Sequence, residues 1–383
     1  MMSKRILHIH QDYPDGRPYP FTRAVSNLIE ATEFETHEVS HFVLSINRTS
    51  NPFKVSVKEF DKGLSIVYWA LPIPYIYMPV IFVWSYIFYQ FLRNKNFDLI
   101  HGHKLTTEGL IANRLSRFLN IPYLISVRGG SDSHNINRLP CSRKKFREVA
   151  LNAKHIFFVS PWMKSSYSDF FNVKNSSDFP NVCELSGDLL SYKDSLMHKN
   201  FISVLSFHQY KRKGVIPLIT SISSLKDKGI NVYLDIYGGG DERNFEIVRN
   251  HIDNLGCGDL VSLKGEVSRE SLLVSMKNSR GLLLPASNET FGMVYIEALF
   301  SGVPILYHKK TGIDGYFDEF NVGVSVESKN HQEIEIQLKE LINNIDYYIS
   351  GVREFNKSEA SKKFLTKNII DHYISIIRGS MYG

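Results

Sequence analysis

Residues 284–304 read Leu284-Pro285-Ala286-Ser287-Asn288-Glu289-Thr290-Phe291-Gly292-Met293-Val294-Tyr295-Ile296-Glu297-Ala298-Leu299-Phe300-Ser301-Gly302-Val303-Pro304. The short apolar run ending at Pro285 has the form of a buried strand, and a helix starts near Gly292. A helix start offers N–H groups without intrahelical partners and the positive end of the dipole, which suits a diphosphate. Glycine at 292 lets a phosphate come close to the backbone. On this reading Phe291, Gly292 and Met293 present amides to a diphosphate. Glu297, more than a turn into the helix, is placed to accept hydrogen bonds from two ribose hydroxyls. Glu289, on the loop, is placed to hold hydroxyls of a transferred sugar. Neither carboxylate then stands beside the phosphates, where it would repel them.

Outward from this segment the chain alternates strand and helix. In the second half strands are expected at 201–207, 232–237, 260–263, 281–284 and 303–306. Helices are expected at 215–226, from 241 to 254, at 269–278 and 292–301, then at 331–349 and 359–377. In the first half strands are expected at 5–10, 97–101, 123–127 and 155–159. Helices are expected at 106–119 and 142–153, and Phe21, Val25, Leu28 and Ile29 mark another. Such alternation implies an α/β chain with parallel sheets covered on both faces. A polar, flexible cluster between Glu184 and Asn200 is the natural boundary, giving domains at 1–190 and 191–359. Two parallel-sheet halves facing each other bring strand carboxyl ends to a shared cleft, where small molecules bind.

Other motifs follow the same order. Tyr210-Lys211-Arg212-Lys213-Gly214 lies between a strand and a helix, so Lys213 and Arg212 can neutralise charge on a leaving diphosphate. Gly238-Gly239-Gly240-Asp241 forms a turn after the next strand, and Leu263-Lys264-Gly265-Glu266-Val267 follows the one after. In the first half come Asp98-Leu99-Ile100-His101-Gly102-His103, Ile121-Pro122-Tyr123-Leu124 and Arg128-Gly129-Gly130-Ser131-Asp132.

The 284–304 segment resembles the E-x7-E signature of family 4 retaining glycosyltransferases (group 1). These have the GT-B fold of two Rossmann-like domains facing across a deep cleft. The resemblance extends to Leu-Leu-Pro-x-Ser before Glu289, Phe-Gly after it, and Glu-Ala-Leu-x-x-Gly-Val-Pro from Glu297. It is strong over 200–310 and looser over 97–160. It implies retaining transfer of a hexose from a nucleotide-diphosphate sugar to an acceptor hydroxyl, with Glu289 and Lys213 catalytic. Arg212, Phe291, Gly292, Met293, Glu297, Gly239 and Val267 would bind the donor, and Arg128, Asp132 and His103 would face the acceptor. A helix over 360–383 would pack back on the first domain, and neither a metal nor another cofactor is expected. The sequence departs from the family in two places. Phe207 or His208 stands near the position of an upstream arginine, and Arg128-Gly129 replaces the common His-Gly. Arginine cannot carry a proton at neutral pH, but it can bind sugar hydroxyls or an acceptor phosphate. A nucleotide-sugar epimerase of the same fold and a non-catalytic glycan or nucleotide binder are the competing readings.

Composition agrees with a two-domain enzyme: 383 residues, 43% hydrophobic, 22% charged, net charge +6. That charge fits phosphorylated substrates or an anionic lipid surface, and without basic runs interleaved with aromatics it does not indicate nucleic acid. Cys141, Cys183 and Cys257 have no metal-ligand spacing and fit a reducing cytoplasm. The stretch 71–92 carries no charge and is rich in aromatics, but Pro72, Pro74 and Pro79 leave only 80–92 as a continuous helix. That is too short to span a bilayer. The expectation is a buried helix, with peripheral contact at the inner face of a membrane as the alternative. The resemblance implies a glycan or lipid-linked glycan acceptor, as in surface polysaccharide or glycolipid assembly, and this stretch with the basic balance suggests the lipid-linked or membrane-proximal kind.

Overall fold

The computed structural model describes all residues except 1–2, 18–21, 72, 168–169, 171–174, 184, 186–199 and 383. Within these the chain divides into two compact units, Met1–Val182 with Phe364–Gly383, and Cys183–Lys363. The polar cluster from 186 to 199 lies outside the described residues, so the division at 182/183 falls just before the boundary expected at 190/191.

The first unit holds strands β1 (Lys4–His10), β2 (Val39–Thr49), β3 (Ser56–Phe60), β4 (Gly63–Trp69), β5 (Leu99–Gly102), β6 (Tyr123–Val127), β7 (His155–Phe158) and β8 (Ser176–Asp178). They lie in the order β3-β4-β2-β1-β5-β6-β7-β8, parallel except for the β3–β4 hairpin. β6 is buried along its whole length, as a central parallel strand covered on both faces must be. Helices α1 (Ala24–Glu35), α2 (Pro74–Leu92), α3 (Thr107–Leu119), α4 (Gly130–Arg138), α5 (Arg143–Asn152) and α6 (Pro161–Tyr167) follow the strands.

The stretch expected to break at Pro79 is a single helix, α2. Pro74 sits in its first turn, where a missing N–H costs nothing, and Pro79 gives up one bond near the start. Buried Ile81, Ser85, Phe88 and Leu92 form a stripe at spacings of four and three, and this packing outweighs the lost bond. Val83, Tyr86 and Phe91 of the same helix are exposed. No helix among the described residues is long and apolar enough to cross a membrane.

The second unit holds β9 (Asn200–Val204), β10 (Tyr233–Tyr237), β11 (Val261–Gly265), β12 (Leu282–Leu283), β13 (Ile305–His308) and β14 (Gly323–Val326), in the order β11-β10-β9-β12-β13-β14, all parallel. Its helices are α7 (Tyr210–Lys213), α8 (Val215–Asp227), α9 (Glu242–Asn254), α10 (Arg269–Lys277), α11 (Met293–Phe300), α12 (His331–Asn343), α13 (Ile345–Lys357) and α14 (Glu359–Lys362). The helix expected over 331–349 divides at Asn344 into α12 and α13. The last helix, α15 (Thr366–Tyr382), returns to the first unit, where Ile369, Ile370, Tyr373 and Ile377 pack with Ile6, Leu99, Leu124 and Phe157. In each sheet the earliest strand is interior, β1 between β2 and β5 and β9 between β10 and β12. The direction of winding reverses there, and the crevice beyond the strand ends is where sheets of this kind bind ligands.

Candidate active site

In the second unit the reversal lies between β9 and β12, and the chain leaving each strand carries a residue of opposite charge. β9 leads into α7, which ends at Lys213, and β12 leads into the loop of Glu289. Lys213 Nζ donates to Glu289 Oε2 at 2.5 Å, with the two side chains 13% and 8% exposed. Burial alone would raise the Glu289 carboxyl, but the charge and hydrogen bond of Lys213, with Arg212 nearby, hold it below the usual range.

Two features bring the segments together. The N–H of Ser287 donates to the Arg212 carbonyl at 3.0 Å. Gly214 has φ +71, and a Cβ there would lie 2.5 Å from the Pro285 carbonyl oxygen, so the two backbones meet only because residue 214 has no side chain. Arg212 does not project freely; its Nη1 donates to the Asn288 carbonyl at 2.8 Å and its Nη2 to Gln209 Oε1. Phe207, near the position of the missing upstream arginine, is buried in the core and supplies no cation.

Helix α11 starts at Met293, directly after Gly292 at φ +77. A Cβ at Gly292 would lie 2.6 Å from the Tyr295 ring, and Tyr295 is pinned below by its hydroxyl donating to the Leu284 carbonyl at 2.6 Å. No side chain caps the helix. Among the described residues, the N–H groups of Gly292 and Met293 meet no backbone acceptor. These donors and the helix dipole make an anion seat beside the Lys213–Glu289 pair. At the far end the N–H groups of Gly302 and Val303 close on the carbonyls of Leu299 and Ala298 at 2.9 and 3.1 Å. This double closure is why Gly-Val-Pro follows the helix. The loop of Glu289 is braced by Gly312, whose N–H reaches the Glu289 carbonyl at 2.8 Å.

Glu297 accepts from Arg269 Nη2 at 2.8 Å, so a ribose hydroxyl arriving there would share the carboxylate with a guanidinium. Sequence reading did not single out Arg269; its position opening α10 gave no local signal. Gly239 is covered by Glu266, whose Oε2 would stand 2.2 Å from a Cβ at 239, so the turn faces an acid. Val267, next along, is 37% exposed.

In the first unit the reversal lies between β1 and β5, where His8 and His101 are paired neighbours. His103 is fully buried, its Nε2 2.9 Å from His8 Nδ1, and His8 Nε2 lies 2.8 Å from His41 Nδ1. His101 engages Tyr373 Oη and Ser126 Oγ, each at 2.8 Å. Burial first, then neighbouring imidazoles and Arg128, holds His8 well below the usual histidine range. His101 and His103 are held down in the same way. Ligand atoms of His8, His101 and His103 lie within 4.8 Å of one another, a metal-compatible spacing. A cation there would have to displace the existing ring bonds and tolerate the charge of Arg128.

Asp132 is buried; it accepts from the N–H groups of Leu105 and Thr106 at 3.0 and 2.9 Å and from Thr106 Oγ1 at 2.8 Å. These bonds hold the turn before α3, and they occupy both carboxylate oxygens. Arg128 follows β6 and donates from Nη1 to Asn181 Oδ1 at 2.6 Å. Asn181 was outside the sequence reading because the pair is separated by 53 positions.

Residues 193–350 match the family model described as Glycosyl transferases group 1. The chain is 25% identical to an uncharacterized glycosyltransferase of Methanocaldococcus jannaschii over 71% of this chain and 73% of that one. It is 22% identical to the alpha-monoglucosyldiacylglycerol synthase of Acholeplasma laidlawii, over 79% of each. The structure of Anabaena HepE in complex with UDP and glucose superposes with a TM-score of 0.65 at 14% identity, covering 97% of this chain and 99% of that one.

Proposed function

We propose that this chain of the GT-B fold, whose residues 193–350 match the model described as Glycosyl transferases group 1, is a glycosyltransferase that moves a sugar from a nucleoside-diphosphate sugar to an acceptor hydroxyl with retention of configuration. The observation that carries this reading is the buried Lys213–Glu289 pair, set beside the open amides of Gly292 and Met293. The amides and Lys213 neutralise the departing diphosphate, and Arg212 adds charge through the turn it braces. This division needs neither a metal nor another cofactor, since fixed donors and cations do the electrostatic work. With donor bound, the phosphates draw Lys213 away from Glu289, leaving the carboxylate to orient sugar hydroxyls. The acceptor proton passes to the leaving phosphate oxygen on the same face, while Glu297, steadied by Arg269, holds the ribose.

The acceptor we propose is a lipid-linked glycan or glycolipid, met at the inner face of a membrane. The exposed Val83, Tyr86 and Phe91 of α2 support it, as does the likeness to a diacylglycerol glycoside synthase. Free cysteines at 141, 183 and 257 fit a cytoplasmic setting.

The test is thermal stabilisation across nucleoside diphosphates and their sugars, followed by turnover of Glu289→Gln and NMR of the product anomer. Stabilisation by one nucleotide, a loss of turnover of about 100-fold or more and a retained anomer are expected. An inverted product ends the retaining assignment, unchanged turnover removes Glu289 from the mechanism, and conversion of the donor without acceptor points to an epimerase.

A further inference from the structure

The end of β6 carries a charge that forms no ion pair among the described residues, Glu108 acting on it only through space. Arg128 bonds through Nη1 to a neutral amide, and its Nε, shielded from solvent, has no hydrogen-bond partner. Nearby charges are matched: Lys104 pairs with Asp12 and Glu108, and Asp132 is saturated by the turn before α3. The adjoining His8, His101 and His103 are held neutral and offer no negative charge. Burial lowers the Arg128 guanidinium to about 10, which leaves it charged at neutral pH.

Directly beyond Arg128, helix α4 begins at Gly130 with no side-chain cap, and the N–H groups of Gly130 and Ser131 meet no backbone acceptor among the described residues. A guanidinium fork and an open helix start then adjoin in sequence, and both favour an anion.

We propose that Arg128 and the start of α4 form a seat for a substrate oxyanion, the carboxylate of a uronic acid sugar or a phosphate monoester on the acceptor. The inference rests on the glycosyltransferase reading for the identity of its ligand. An anion would supply the direct charge-assisted contact that Asn181 does not, and neutral sugars would leave the guanidinium without an ion pair. The histidines beneath supply a polar floor that does not compete for the anion.

The experiment titrates the full chain with glucuronate, glucose 6-phosphate and glucose, followed by NMR or calorimetry. Two variants are compared with the wild type: Arg128→Gln, which removes the charge, and Asn181→Asp, which places a carboxylate on it. The expected result is that glucuronate or glucose 6-phosphate binds at least about 10-fold more tightly than glucose, since charge-assisted bonds are the strong ones. Both variants should lose that preference, and Asn181→Asp should melt at a higher temperature than the wild type. Preference for glucuronate assigns a uronic acid sugar; preference for glucose 6-phosphate assigns a phosphorylated acceptor. No anion preference in the wild type, or a preference that survives Asn181→Asp, overturns the proposal. Because Asn181→Asp keeps Arg128 and its packing, the test stands even where Arg128→Gln does not fold. Failure of every nucleoside diphosphate to stabilise the protein would instead count against the transferase reading.

Discussion

Mild acid should unfold the first unit before the second, and the size of the effect follows from three imidazoles. His8, His101 and His103 are fully buried, and burial with neighbouring positive charge holds each well below its ordinary value near 6.5. The groups facing them are His41 from β2, His10 at the end of β1, Glu108 from α3, Arg128 after β6, His155 from β7 and Tyr373 from α15. An imidazole with a depressed folded value takes its proton first in the unfolded chain. Its stabilising contribution is therefore complete above pH 6.5 and is lost as pH falls towards the folded value. Each such group costs about 1.4 kcal/mol per pH unit within that window. Three together cost about 4 kcal/mol between pH 7.0 and 5.5, a large share of the 5–15 kcal/mol that is typical of a whole domain. Trp69, Trp84 and Trp162 all belong to the first unit, so tryptophan fluorescence follows that unit while far-ultraviolet circular dichroism follows both. The fluorescence melting temperature should fall by roughly 10 °C from pH 7.0 to 5.5, and His8→Gln should reduce the slope by about a third. A fluorescence midpoint that moves no more than the dichroism midpoint, or a slope untouched by His8→Gln, would refute the reasoning.

Lys213→Met should cost about 3–5 kcal/mol in urea unfolding by leaving Glu289 buried and unpaired, and should lower turnover about 100-fold or more. Loss of stability with normal turnover would remove Lys213 from catalysis. Gly214→Ala should cost about 1–3 kcal/mol, because it combines a left-handed backbone with a close approach to Pro285; a neutral result would show that this approach relaxes freely. Arg269→Met should raise the donor KM about 5–10-fold with little change in kcat if the residue only steadies Glu297 in ground and transition states alike. A fall in kcat alone would give it a different part.

The strand–helix alternation was legible because β6 and β10 carry apolar runs interrupted only by Ser126 and Asp235 and α3 has clean helical spacing, and the structure keeps their bounds within a residue or two. The strands β2, β3 and β4 were not anticipated. β3 is an exposed hairpin arm and β2 mixes buried and exposed positions, so neither shows the unbroken apolar run of a central strand. Pro79 misled for the opposite reason: a local rule about backbone donors was outweighed by the tertiary packing of Phe88 and Leu92. At the candidate site, Glu289, Lys213 and Gly292 could be singled out because each stands in a distinctive local string of residues, although the Lys213–Glu289 contact itself spans 76 positions. Arg269, Asn181 and the histidine chain were not, since each partner lies 25 or more positions away.

Helix α15 also bears on how the chain is made. The strands of the first unit are synthesised early, yet Tyr373 and Ile377 fill the core against Leu99 and Phe157, and Tyr373 Oη is the partner of His101. The first sheet must therefore wait, its face uncovered and His101 lacking its phenol, until α15 has emerged from the ribosome. The second unit, continuous from 183 to 363, depends on no such distant segment. The part begun first is the part finished last, and that interval is when holdase chaperones would be expected to engage the nascent chain.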